Sequence, residues 1–174
     1  MQWQRIVGIT LLLIGAIGAF GQTHQIQAQP GPAPGFIAYQ ALFVKVSWLE
    51  KQAEQWDATL GTGNSSSTWI RSLIPAAAGL TDADYAALAA IALDYSQQKA
   101  AYLNARNAIM AEVNAAGGKA TPAQGAQLSS LFQQYIAMIN DHIAQISAKL
   151  DPGGVQSLAN YVHTTVAATT WWAK

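Results

Sequence analysis

The sequence predicts an all-α fold: an elongated antiparallel bundle of three long helices with a short helix at the C-terminal end. Three observations predict it. Apolar residues recur at three- and four-residue steps over long stretches, no segment alternates convincingly with period two, and helix start and stop signals bracket the stretches. Composition agrees with a core held by packing alone. Cysteine is absent, so disulfides and thiolate metal sites are excluded, and charged residues make up 10% of the chain against about 25% in ordinary soluble domains. The formal net charge is +0 and no basic patch exists, so no nucleic-acid partner is expected.

The chain opens as an export signal. Arg5 supplies the positive charge, Ile6 to Phe20 form an apolar run, and Ala19-Phe20-Gly21 places small residues where signal peptidase needs them. Residues 1–21 are the expected signal, with Ile26-Gln27-Ala28 as the alternative end. The competing reading is an uncleaved anchor. As a helix, the run rises roughly 22 Å, short of the roughly 30 Å hydrocarbon core, which favours cleavage. The protein is therefore expected to be exported, periplasmic or secreted, and to meet a membrane only through this segment if the signal is kept. Residues 22–35, with Pro30, Pro32 and Pro34, read as a tether, and 36–174 as a single helical domain.

The first long helix is expected to run from about Pro34 to Leu60. Phe36, Tyr39, Phe43, Val46, Leu49, Ala53, Trp56 and Leu60 form one stripe, and Ile37, Ala41, Val44 and Trp48 form a second beside it. Lys45 is the only charge between Phe36 and Leu49, so the helix is apolar nearly all round there. Two readings follow: a central helix covered on every side, or a helix that leaves Ile37, Val44 and Trp48 as a docking face. Gly61 to Thr68 reads as a flexible loop carrying the sequon Asn64-Ser65-Ser66, and Trp69 to Ala78 as a short helical segment interrupted by Pro75.

The second long helix starts after Thr81, whose hydroxyl can cap the first turn, with Asp84 in the capping-box position. It stops at Gly117-Gly118. The third opens with Thr121 as cap, Pro122 at the first helical position and Gln124 as box partner, and Asp151-Pro152-Gly153-Gly154 ends it. A fourth, shorter helix carries Val155, Leu158, Tyr161 and Val162. Beyond it the β-branched residues from Thr164 onward leave the conformation open, and the chain closes on Trp171-Trp172, an aromatic pair suited to plugging the bundle or meeting a partner.

The short turn between the second and third long helices forces an antiparallel hairpin. With the turn near Gly118, Tyr102 lies level with Tyr135 and Tyr95 with His142, a polar core layer flanked by Asp94 and Asp141. Tyrosine and histidine in such positions hydrogen-bond each other or reach solvent. A metal or acid–base site at Asp94, Asp141 and His142 is the sharper reading, but zinc wants three or four converging ligands and neighbours on a helix point about 100° apart. No nucleophile elbow, S-x-x-K, H-E-x-x-H or di-iron motif occurs, so no cofactor, metal ligand or catalytic residue is assigned and no enzymatic activity is expected.

Leu80-Thr81-Asp82-Ala83-Asp84 and Ala120-Thr121-Pro122-Ala123-Gln124 both open long helices. They resemble the L-T-x-x-Q repeat of periplasmic helical-hairpin proteins of the envelope-stress chaperone class, with Asp84 in place of Gln and Ala120 in place of Leu. The layout is also similar to that of other exported bacterial helical proteins. The resemblance implies a chaperone or stress sensor that meets unfolded clients. The residues themselves point to a non-enzymatic exported bundle that binds an unknown protein partner or itself, through Ile37, Val44, Trp48, Trp171 and Trp172.

Overall fold

The central strut is the first helix, α1 (Phe36–Leu60), which packs against nearly every other element of the computed structural model. The structure describes residues 35–169. The expected signal, the tether up to residue 34 and Trp171-Trp172 lie outside the described residues. Among the described residues every regular element is helical and no strand occurs: α1 is followed by α2 (Ser65–Ala78), α3 (Asp82–Ala115), α4 (Pro122–Lys149) and α5 (Pro152–Tyr161). A π-helical segment (Val162–Val166) and the short α6 (Ala167–Thr169) continue α5.

The face that α1 buries is set by its first stripe. Leu42, Phe43, Val46 and Ala53 are fully buried, with Ala38 and Leu49 beside them. At about 1.5–3 kcal/mol for each large side chain removed from water, this face is a principal source of stability. Opposite it come Leu88, Ile91 and Tyr95 from α3, Ile139 and Ile146 from α4, and Leu158 and Val162 from the C-terminal arm. Leu60 is 61% exposed, because α1 has run past its last packed turn.

The expected loop at 61–68 is shorter than predicted, and the short helix longer. The Asn64 side-chain oxygen accepts from the backbone amides of Ser66 and Ser67, both at 3.0 Å, so α2 begins at Ser65. Pro75 does not interrupt α2. It sits in the last turn, where its missing amide removes one hydrogen bond, and the helix closes with Gly79 at φ 67°. The Leu80 amide then reaches back to the Pro75 carbonyl at 3.1 Å while the Leu80 side chain is buried, a Schellman ending.

α3 and α4 form the expected hairpin. Gly117 and Gly118 take φ 92° and 84°, and the Gly118 amide bonds the Val113 carbonyl at 2.9 Å. Thr121 and Gln124 make the reciprocal capping box. Thr81 and Asp84 do not. The Thr81 hydroxyl accepts from the Asp84 amide and donates to Asp84 Oδ2 at 2.7 Å. The other Asp84 oxygen is used elsewhere: it accepts the amide of Asp151 at 2.9 Å, from the junction between α4 and α5.

That contact corrects the reading of Gly153-Gly154 as a stop signal. α5 starts at Pro152, so both glycines are helical. A Cβ on Gly154 would stand 2.6 Å from the Asp84 carboxylate, so glycine is required here for close approach rather than for a turn. The tail that the β-branched residues left open is helical as far as Thr169. Val162 and Val166, both buried, hold it against α1, and packing overrides propensity.

Candidate functional site

Three places deserve the name of candidate site: the polar layers of the hairpin, a charged network under α2, and the outward stripe of α1.

In the hairpin, Tyr102 and Tyr135 stack with ring centroids 4.3 Å apart and planes 14° from parallel. Tyr95 and His142 meet edge to face at 5.8 Å, with Phe43 of α1 against both. The hydroxyls connect diagonally: Tyr95 Oη and Tyr135 Oη lie 3.0 Å apart, and Gln40 of α1 donates to Tyr135. His142 is buried, and its Nδ1 lies 2.6 Å from the Met138 carbonyl. A carbonyl only accepts, so Nδ1 carries the proton there. Nε2 lies 3.2 Å from Asp94 Oδ2. Burial pushes the Tyr95 and Tyr135 hydroxyls above the ordinary phenol range.

These groups spend their polar atoms on one another. Among the described residues no buried side-chain nitrogen or oxygen lacks a partner. Asp141, expected to flank the layer, is exposed, as is His163. Among the described residues no three His, Cys, Asp or Glu side chains gather to hold a metal.

The second place was not found by sequence reasoning. Glu50 of α1 is 8% exposed. It accepts from the Tyr85 hydroxyl at 2.7 Å and from Arg71 Nε at 3.1 Å. Arg71 also donates through Nη1 to Asp57 at 2.7 Å. Asp57 in turn accepts from the Ser67 hydroxyl, the Gly63 amide and Asn64 Nδ2. The Ser67 hydroxyl and the Arg71 guanidinium hold the Asp57 carboxyl below the usual range. Burial and the Glu50 carboxylate push the Tyr85 hydroxyl well up. A signal was available: Glu50 and Asp57 stand two turns apart on one helix face, and Arg71 is the only charge between Gly61 and Thr81. In so lightly charged a chain, such residues deserved pairing. The network also commits Asn64, the sequon asparagine. Its Nδ2 donates to Asp57 and to the Gly61 carbonyl while its oxygen caps α2, so a glycan there would unmake the cap.

The third place is the second stripe of α1. It faces outward. Trp48 is 56% exposed and Ile37 37%, while Ala41 and Val44 between them are half-buried. The hairpin flanks the stripe on one side, through Gln40 to Tyr135 and Lys51 to Ser96 at 3.0 Å. On the other side stands the C-terminal arm, where Lys45 reaches the Tyr161 hydroxyl at 3.2 Å. Both lysines are thereby drawn to the flanks, and no charge stands on the stripe between Ile37 and Trp48. Trp69 and Leu73 of α2, 59% and 37% exposed, are further apolar side chains that the sequence reading passed over. Among the described residues no single helix is long and apolar enough to cross a membrane. A shallow open hollow of about 520 Å³ on the distal hairpin is lined by Ala105, Ile109, Glu112, Gln127, Ser130, Leu131 and Gln134, with Glu112 its one charged side chain.

Compared with protein-family models, curated proteins and solved structures, the chain matches none.

Proposed function

We propose that this protein is an exported, non-enzymatic module, an elongated antiparallel helical bundle that acts by binding another protein through the outward stripe of α1. The observation that carries the reading is Trp48. It is a large aromatic side chain, 56% exposed, at the end of a charge-free stripe shared with Ile37, Ala41 and Val44. Exposed tryptophan is costly to leave in water and is enriched where proteins bind one another. The 4-3-4 spacing of the stripe suits a partner that presents an uncharged amphipathic helix. The polar layers and the Glu50–Arg71–Asp57 network serve as internal ties that keep α1 in place. A photo-crosslinking amino acid at position 48 tests the reading, with the same group at the exposed position 97 as control. A discrete protein adduct from position 48 alone is expected. No adduct, or the same adducts from both positions, would remove the support for this face.

A further inference from the structure

We infer that Tyr102 and Tyr135 form an oxidative cross-linking site, where a one-electron oxidant derived from peroxide joins the two rings and ties α3 to α4 by a carbon–carbon bond. The site is independent of the binding role given to α1. All six tyrosines of the chain lie among the described residues, and this is the one pair whose rings touch each other. Their centroids stand 4.3 Å apart with planes 14° from parallel. Two directly bonded phenol rings keep nearly the same centroid separation, so tilting one ring brings the carbons ortho to the hydroxyls together. Neighbours held in this way react at the high effective concentration that fixed orientation gives.

The surroundings assign each ring its part. Tyr102 is half-buried and meets the oxidant, whereas Tyr135 is 9% exposed and is reached through the stack. Tyr95 Oη, 3.0 Å from Tyr135 Oη, and the Gln40 amide hold the Tyr135 ring in place. The ring of Tyr95 itself packs on Phe43 and His142, not on a second phenol. Tyr102 first loses an electron and its hydroxyl proton. Tyr135 replaces both from its own hydroxyl, and a second oxidation of Tyr102 leaves a radical on each ring. The two ortho carbons bond, and their hydrogens move to the oxygens to restore both aromatic rings. One hydrogen peroxide takes up the two electrons and two protons and becomes two waters. No thiol competes for the oxidant, because cysteine is absent.

The position gives the link a purpose. Between Leu103 and Gln134 only Val113 is buried, so the distal hairpin leaves the bundle at this pair with little packing to hold its arms together. A bond here closes the arms at their root, the service a disulfide renders in chains that carry cysteine.

Full-length protein treated with hydrogen peroxide and a haem peroxidase, then digested with trypsin, tests the site. Expected is a linked pair of peptides, 100–106 and 120–149, two hydrogens lighter than their sum, with the blue fluorescence of coupled phenols. Its yield should not depend on protein concentration. Tyr102→Phe and Tyr135→Phe should each cut the yield by about tenfold or more, while Tyr161→Phe leaves it unchanged. Tyr102→Phe keeps the stacked ring, and circular dichroism checks that it folds, so its effect reads the chemistry. A link that survives Tyr102→Phe, links between other tyrosines in comparable yield, a yield that rises with concentration, or oxygen added at tryptophan with no linked peptide overturns the inference.

Discussion

At the scale of single residues, the Asp84 carboxylate does two jobs through two oxygens, and both depend on a glycine. One oxygen meets the Thr81 hydroxyl at the start of α3, the other the Asp151 amide ahead of α5. Gly154 makes room for it. Gly154→Ala puts a methyl group 2.6 Å from that carboxylate, whose two hydrogen bonds resist displacement. The expected loss is about 1–3 kcal/mol, as for other overpacked cores, whereas the neighbouring Gly153→Ala, with nothing within 4 Å, should gain from helix propensity. Urea denaturation of the two variants checks the contrast. Arg71 makes the complementary case. Arg71→Met leaves Glu50 largely buried with only the Tyr85 hydroxyl. Removing one partner of a buried pair costs about 3–5 kcal/mol, and a guanidinium side chain 33% exposed calls for a lower figure of about 2 kcal/mol. Adding Glu50→Gln should recover part of that loss, and a double-mutant cycle measures the coupling.

Among the elements, α2 tests whether capping or periodicity sets a helix start. The segment Ser65 to Thr68 has no apolar stripe, so a reading by hydrophobic period leaves it as loop. The Asn64 side chain nevertheless satisfies two amides there and starts the helix a full turn early. Asn64→Ala should cost about 1 kcal/mol from the lost cap, while Asn64→Asp, which keeps the accepting oxygen, should preserve the cap but set a carboxylate beside Asp57. Thermal melts of both variants separate the two effects, and stability held in Asn64→Ala would show that the side-chain bond matters little. Start signals with a hydroxyl or amide were legible wherever they stood before an apolar run, as at Thr81 and Thr121. The stop at Gly117-Gly118 was legible because positive φ favours glycine. Gly154 was misread because the same residue type also serves close approach, which depends on a side chain 70 positions away in the chain. Period 3.6 likewise revealed both stripes of α1 but not which one faces solvent, since that depends on where α2, α3 and α5 settle. The layers Tyr102–Tyr135 and Tyr95–His142 could be placed from the turn alone, because antiparallel helices share one register. The Glu50–Arg71–Asp57 network offered only the scarcity of its charges as a signal, since it spans helices whose pairing the sequence left open.

For the whole molecule, the distribution of ionisable groups sets a stability profile with two edges. On the acid side, hydrogen bonds from the Ser67 and Thr81 hydroxyls, helped by Arg71 and the Asp151 amide, hold the Asp57 and Asp84 carboxyls below their usual range. A carboxyl depressed in the folded state stabilises it above the unfolded value near 3.9, and that contribution is lost as pH falls below it. On the alkaline side, burial pushes the hydroxyls of Tyr39, Tyr85, Tyr95, Tyr102 and Tyr135 up. Their contribution is complete below the unfolded phenol value near 10 and disappears as pH rises beyond it, because the unfolded chain then gives up protons the folded one keeps. Lys99 opposes this edge: burial lowers its ammonium, so deprotonation favours the folded state. One lysine acts against five tyrosines, and the tyrosines dominate. Unfolding free energies from urea titrations should therefore stay nearly flat between about pH 5 and pH 9, fall below about pH 4, and fall again above about pH 10. Tyr95→Phe, which removes the most strongly buried hydroxyl, should lower stability at pH 7 by about 1 kcal/mol while flattening the alkaline fall. An alkaline slope unchanged in Tyr95→Phe would show that the folded hairpin admits a tyrosinate, and that the packing of Phe43, Tyr95 and His142 is looser than their ring contacts imply.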